Sequence, residues 1–168
     1  MSRLIASSST FQGLCGVDNA NEARQHCHFE TDDGQKGSGV DLDDYTTEYP
    51  IALIDWLDAD GFTFNRITRQ DWSLSGTISF SIILELPPDL TRNDEHVWFM
   101  NQMSSILDEM MDNAGLGESV SGESHLNVTQ IEQVQYYMPE IGEVEILDPE
   151  KFSQRRTAWM VLQANYEG

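Results

Sequence analysis

The feature that most constrains the fold is an alternating pattern over residues 72–86, WSLSGTISFSIILEL. The even positions are mostly large and apolar: Trp72, Leu74, Gly76, Ile78, Phe80, Ile82, Leu84 and Leu86. The odd positions are mostly small and polar: Ser73, Ser75, Thr77, Ser79, Ser81, Ile83 and Glu85. Successive side chains of a strand point to opposite faces, so the pattern predicts one long strand with an apolar and a polar face. We expect this strand at the centre of a sheet or as the long arm of a hairpin.

Shorter strands are predicted on both sides of this segment. Residues 51–57 form a nearly continuous apolar run, which is typical of a strand covered on both faces. Residues 58–61 (DADG) predict a hairpin turn into a return strand, and residues 69–71 predict a second turn into the long strand. Residues 125–138 and 155–166 predict two further strands, and a change of alternation in the first predicts a bulge within residues 129–132.

The clearest helix is predicted over residues 91–115, where Thr91 and Asp94 form a capping-type pair. The positions with helical spacing that we assign to its core stripe are Val97, Met100, Met103 or Ser104, Ile106, Leu107, Met110, Met111 and Ala114. We interpret this stripe as packed core, although methionine-rich stripes are also typical of adaptable binding surfaces. Short helices are predicted within residues 2–14, with Ser9 as the cap, and after Asn19, with a short strand at residues 26–29.

These elements predict a single α+β domain over residues 1–168. Its sheet is antiparallel or mixed, with the long helix packed on one face and the short helices at the N-terminus. Residues 30–49 are rich in glycine and carboxylates, which predicts a flexible acidic loop.

The chain is strongly acidic, with 29 Asp and Glu residues against nine Lys and Arg residues and a net charge of −20. Such a surface repels nucleic acid and anionic membranes. Three interpretations stay open: solubility or salty surroundings, a surface that faces DNA without adhering, and imitation of the DNA phosphates. We find no secretory signal and no apolar run long enough for a bilayer, so we expect Cys15 and Cys27 as free thiols in a reducing cytoplasm.

No arrangement of residues predicts catalysis, a cofactor or a metal site. The pair Asp58 and Asp60 begins like a calcium loop, but Thr63 and Arg69 stand where that loop needs Gly and Glu. A zinc site built from Cys15, Cys27 and the adjacent histidines lacks four-ligand spacing. We therefore expect that the protein is not an enzyme.

Three groups of residues are the candidates for contact with a partner. The first is the acidic cluster Asp41, Asp43 and Asp44, which we interpret as a solvated loop that orders on assembly, with weak cation binding left open. The second is the small polar face of the long strand: Ser73, Ser75, Thr77 and Ser79. The third is Arg155 and Arg156, for which pairing with the acidic residues 139–149 is the first expectation and a partner's carboxylates are the alternative.

The order of these elements resembles a known family. The segments LIASSSTFQGLCGVDNANEARQHCHF, YPIALIDW and RRTAWMVLQANYEG, with the long strand and long helix between them, resemble tail terminators and head–tail neck (tail completion) proteins of long-tailed bacteriophages. The resemblance covers most of the chain and lies in element order, without a signature motif. It implies a non-enzymatic virion protein, assembled in the host cytoplasm, that forms a homo-oligomeric, hexameric ring on the tail tube and joins it to the neck.

Carboxylates lining such a ring would let DNA pass without specific binding, because phosphate binding needs Lys and Arg. We expect no membrane contact. The alternatives are a head-completion adaptor, a minor capsid or tail component, an acidic DNA-mimic inhibitor, and an enzyme that uses carboxylates.

Overall fold

The computed structural model describes residues 1–30, 48–55, 63–66, 72–113, 127–139, 145–148 and 153–167. The helices are α1 (Ser2–Ser7), α2 (Ser9–Cys15), α3 (Ala20–Ala23), the 3-10 turn η1 (Arg24–His26) and α4 (Arg92–Asp112). The strands are β1 (Cys27–Glu30), β2 (Ile51–Asp55), β3 (Thr63–Arg66), β4 (Trp72–Glu85), β5 (Asn127–Tyr137), β6 (Glu145–Asp148), β7 (Ser153–Arg155) and β8 (Thr157–Glu167).

The main sheet has the strand order β1-β2-β4-β8-β5, and β3 pairs with the beginning of β4. β1 is parallel to β2, whereas every other described pair in this sheet is antiparallel. β6 and β7 form a separate two-stranded sheet. The mixed sheet, the long helix α4 and the short N-terminal helices confirm the predicted α+β class, and the long strand β4 lies at the centre of the main sheet.

The hairpin predicted between β2 and β3 is wrong. β2 pairs with residues 79–83 of β4 and β3 pairs with residues 72–75, both antiparallel to it. Since Ser75 pairs with Thr63 on one side and with Glu167 of β8 on the other, β2 and β3 follow the same edge of β4 in the same direction. The predicted turn at residues 58–61 lies outside the described residues. Turn-forming residues signal a break in a strand, but they do not fix the direction of the next one.

The alternation predicted for β4 is confirmed. The apolar positions Ile78, Phe80, Ile82, Leu84 and Leu86 are all buried, at most 3% exposed. They share a core with the alternate residues Ala158, Met160, Leu162, Ala164 and Tyr166 of β8 and with side chains of α1, α2 and α4. We call this helix-covered side of the sheet the inner face.

Helix α4 begins as predicted, because the Thr91 side chain accepts a hydrogen bond from the backbone N–H of Asp94. The predicted core stripe is partly wrong. The side chains that enter the core are Phe99, Met103, Ile106 and Met110, whereas Val97, Met100 and Met111 are exposed. The helix carries two neighbouring apolar stripes, and only one of them meets the sheet.

Two local features refine the predictions. The cap of α2 is Ser8 rather than Ser9, since its Oγ accepts from the backbone N–H of Phe11. The predicted cap of α3 by Asn19 is confirmed by its bond from the N–H of Glu22. In β5 the register shifts at Val128/Gln130, close to the predicted bulge, and again at Gln133/Gln135, where no bulge was predicted.

Candidate assembly surface

The side of the sheet opposite the helices, which we call the outer face, has an uncharged centre on the two middle strands. Strand alternation and pairing place nine residues there: Ser75, Thr77, Ser79, Ser81 and Ile83 of β4, and Trp159, Val161, Gln163 and Asn165 of β8. Most of these side chains are half-buried in the single chain, and none carries a charge. In a chain with a net charge of −20, so large an uncharged area is the least expected part of the sheet.

Cross-strand contacts hold these side chains in place. Thr77 Oγ1 donates a hydrogen bond of 2.9 Å to Asn165 Oδ1, and Gln163 Nε2 donates to Ser79 Oγ at 3.5 Å. At the other end of the surface, the Trp159 ring stacks on Tyr137 of β5 with ring centroids 3.9 Å apart. Cross-strand pairs of this kind restrict the side-chain rotamers before binding. Less conformational entropy would therefore be lost when a partner binds this surface.

Carboxylates border this uncharged centre. Asp55 lies opposite Ser79, and Glu132 lies opposite Gln163. Glu85 and Glu167 follow the same alternation at opposite ends of β4 and β8. The result is an uncharged centre with an acidic border, and depletion of charged residues at the centre is typical of protein–protein interfaces.

The predicted partner residues fall into three groups. Ser75, Thr77 and Ser79 lie together on the outer face as expected, and Ser73 belongs to the same strand, opposite Asn65. Asp41, Asp43 and Asp44 lie outside the described residues. Arg155 ends β7, opposite Glu145.

Arg156 has a partner that the sequence did not indicate. Its guanidinium Nη1 donates to Oε1 of Glu95 on α4 and forms an ion pair with it. Glu95 is only 2% exposed, and its Oε2 has no hydrogen-bond partner within the described residues. In the same region the backbone N–H of Leu86 donates to the Arg156 carbonyl, 2.8 Å away. This pair therefore joins the first turns of α4 to the start of β8. From the sequence, Glu95 could be interpreted only as a carboxylate that interacts favourably with the helix dipole, and its partner could not be predicted.

A second carboxylate, Glu109 of α4, accepts hydrogen bonds from the start of helix α2. Its Oε2 accepts from Ser8 Oγ at 2.7 Å and from the Thr10 backbone N–H at 3.0 Å, while its Oε1 accepts from the hydroxyls of Ser9 and Thr10 at 2.9 Å. Desolvation by burial raises the pKa of Glu109, but the bonds from Thr10, Ser8 and Ser9 outweigh it and lower that pKa to about 2. The serine-rich sequence of residues 7–9 thus serves α4 as well as its own helix.

The two thiols behave as predicted, since Cys15 and Cys27 are both free. Burial raises the pKa of each thiol to about 12. A thiol with that pKa is protonated at neutral pH, and the thiolate is the reactive form. Neither cysteine is therefore a candidate nucleophile.

Among the described residues, no group of three or more His, Cys, Asp or Glu side chains is placed to hold a metal ion. None of the described helices combines the length and apolar content needed to cross a membrane. No protein-family model matches the chain, and a comparison with curated proteins finds no relative.

Proposed function

We propose that this chain is a structural virion protein, a tail terminator that forms a ring at the end of a phage tail tube and joins it to the neck. The observation that carries the proposal is the uncharged centre of the outer face. A surface that only meets water has no physical reason to exclude charge, because charged side chains there improve solubility. A surface that is desolvated by a protein partner does have such a reason, because each unpaired buried charge costs free energy.

The chemistry of the outer face favours a protein partner. The border carboxylates Asp55, Glu85, Glu132 and Glu167 would repel a phosphate backbone. The centre offers hydroxyls, two carboxamides and the Trp159 ring, which stacks on Tyr137 of β5. These groups suit hydrogen bonding and aromatic packing against a polypeptide. The partner in this proposal is a tail tube or neck protein.

The element order on which the phage resemblance rests also supports the proposal. Short helices come first, then the strands around β4, then α4, and finally the strands that end in β8. The net charge of −20 suits a ring through which DNA passes. Carboxylates release no counterions from DNA and form no phosphate contacts, so the DNA would slide without specific binding.

The proposal is tested by polymerising the tail tube protein of the same virion with and without this chain. We expect shorter tubes of uniform length, each with extra density at one end in electron micrographs. The variant Ser81→Lys places a charge at the centre of the outer face and should lose this activity. The variant Ser105→Lys adds the same charge to an exposed position of α4 and should retain it. Tubes of unchanged length, without added density, would refute the tail terminator role.

A further inference from the structure

Within the described residues, the two edge strands of the main sheet have different properties. β1 is the first strand and β5 the last, and neither has a second strand neighbour within the described residues. We call β1 with η1, α1 and α3 the β1 end, and β5 with the exposed side of α4 the β5 end. An unpaired edge strand is a template for pairing with another chain unless it is protected. β5 is the longer edge, with 11 residues against four in β1, and register shifts at Val128/Gln130 and Gln133/Gln135 interrupt it.

Exposed apolar side chains mark the same two ends. The large hydrophobic residues exposed in the described part of the chain are Phe29 at 40%, Val97 at 57%, Met100 at 37%, Met111 at 38% and Val134 at 55%. Phe29 belongs to β1, Val134 belongs to β5, and the other three form the second stripe of α4. These exposed side chains thus belong to the same two ends of the molecule as the edge strands. Exposed hydrophobic surface of this kind is typical of interaction sites.

The second stripe of α4 lies on the β5 side of that helix. His96 of α4 contacts Tyr136 of β5, with a hydrogen bond between Tyr136 Oη and His96 Nδ1 and an edge-on ring contact. Glu109, which binds α2, faces away from that contact around the helix. At about 100° per residue, Val97, Met100 and Met111 follow His96 on the side away from Glu109. They therefore extend the apolar surface beyond β5.

The strand directions allow the two ends to join. β4 and β5 are both antiparallel to β8, so they run parallel to each other, while β1 and β2 run antiparallel to β4. If the sheet of one copy continues into the sheet of the next, β5 meets β1 in an antiparallel pair. Phe29 lies on the inner face of its own sheet, because it pairs with the core residue Ile54 of β2. In the joined sheets its side chain would therefore lie on the same face as the second stripe of the neighbouring copy's α4.

Charge decides between this arrangement and its main rival, a two-fold pairing of two β5 ends. Of the five carboxylates of α4, Glu95 is buried against Arg156 and Glu109 binds α2. The exposed charges that remain are Asp94, Asp108 and Asp112 against Arg92, and β5 adds Glu132. The elements of the β1 end are neutral in sum, because Arg3 and Arg24 balance Glu22 and Glu30, and both arginines are exposed. Two β5 ends would place like charges against each other, whereas a β1 end offers the acidic β5 end a neutral surface with arginines.

We propose that copies of this chain join head to tail, with the β1 end of one copy docked on the β5 end of the next. Such a heterologous contact produces a ring when its rotation closes. The inference rests on the proposed ring and names the surfaces that build it. The outer face is left available for the tail tube or neck.

Chemical cross-linking tests this contact directly. Phe29→Cys and Val134→Cys are prepared separately, one of them with a size tag, then mixed and treated with a short bifunctional maleimide. We expect a product of mixed size, and little product from either variant alone. The double variant should give a ladder that stops at the number of copies in the ring. Wild type is the background control and should give little product, because Cys27 is buried and Cys15 is partly buried.

Phe29→Cys mixed with Ser105→Cys is the matched control, since Ser105 is exposed on α4 outside the second stripe. It should remain uncross-linked.

Val134→Lys should shift the mass from the oligomer to the monomer, because an edge lysine opposes strand pairing. Products from Val134→Cys alone would establish the two-fold rival, and the absence of any product would also overturn the inference. If the protein caps tail tubes but the double variant gives no ladder of cross-linked products, this contact is refuted and the proposed function stands. If the ladder forms but tubes are not capped, only the proposed function is refuted.

Discussion

The two faces of the main sheet come from the same strands but have different roles. On the inner face, alternate residues of β4 and β8 are apolar and lie under helices that two carboxylates of α4 fasten. On the outer face, the nine central residues of the same strands are uncharged, and most of them are half-buried. One alternating sequence can thus separate the residues that stabilise the fold from those that we propose for contact with a partner.

The largest difference is expected from a truncation in the core. Phe80 is 1% exposed on the inner face, so Phe80→Ala leaves a cavity and should lower the free energy of unfolding by about 3–5 kcal/mol. Urea denaturation of both proteins measures this change. A loss below about 1 kcal/mol would contradict the account of the inner face as the structural core.

A smaller loss is expected when Arg156 is replaced. Arg156→Met leaves the Glu95 carboxylate buried without its cation, and the free energy of unfolding should fall by about 3 kcal/mol. Adding Glu95→Met should recover most of that loss, because no buried charge then remains. A double variant as unstable as the single one would show that packing of the arginine stem, rather than the ion pair, stabilises this contact.

Glu109→Gln should cost about 1 kcal/mol at neutral pH, because the hydrogen bonds at this partly exposed site lose their charge. The folded-state pKa of about 2 lies below the unfolded value. The contribution of Glu109 is therefore fully present above the unfolded pKa and is lost as the pH falls through the folded one. The stability difference between wild type and variant should be constant near neutral pH and shrink between about pH 5 and pH 2. A difference that does not change with pH would contradict the role of the ionised carboxylate.

The smallest effect on stability is expected on the outer face. Val161→Ser removes half-buried apolar surface from the centre and should change the free energy of unfolding by less than about 1 kcal/mol. Capping of tail tubes by this variant should nevertheless be impaired. If Val161→Ser destabilised the chain as much as Phe80→Ala, the outer face would belong to the core, and the contrast between the two faces would fail.

The sequence was most informative where one physical pattern dominates. The period of two in β4, the cap at Thr91 and the last strand, predicted over residues 155–166, each follow from local patterns, and the structure agrees with all three. The direction of β3 was not predictable from the turn residues before it. β3 pairs with the part of the β4 edge that β2 leaves open, and this pairing sets its direction.

Two other features also depend on tertiary contacts. α4 has two apolar stripes, and only the position of the sheet decides that Phe99 is buried while Val97 is exposed. The partners of Glu95 and Glu109 are 61 and 99–101 residues away in the chain, a separation at which a sequence pattern carries no signal. Of the candidate surface, the polar strand positions were predictable, but the contribution of β8 was not, because it depends on strand pairing.

The mass of the protein in solution, measured by native mass spectrometry over a range of concentrations, decides whether copies of the chain close into a ring. We expect one closed oligomer of fixed size, a hexamer by the phage resemblance, which Val134→Lys converts to monomer. A wild-type chain that stays monomeric at every concentration, or that grows into open polymers without a limit, would contradict it.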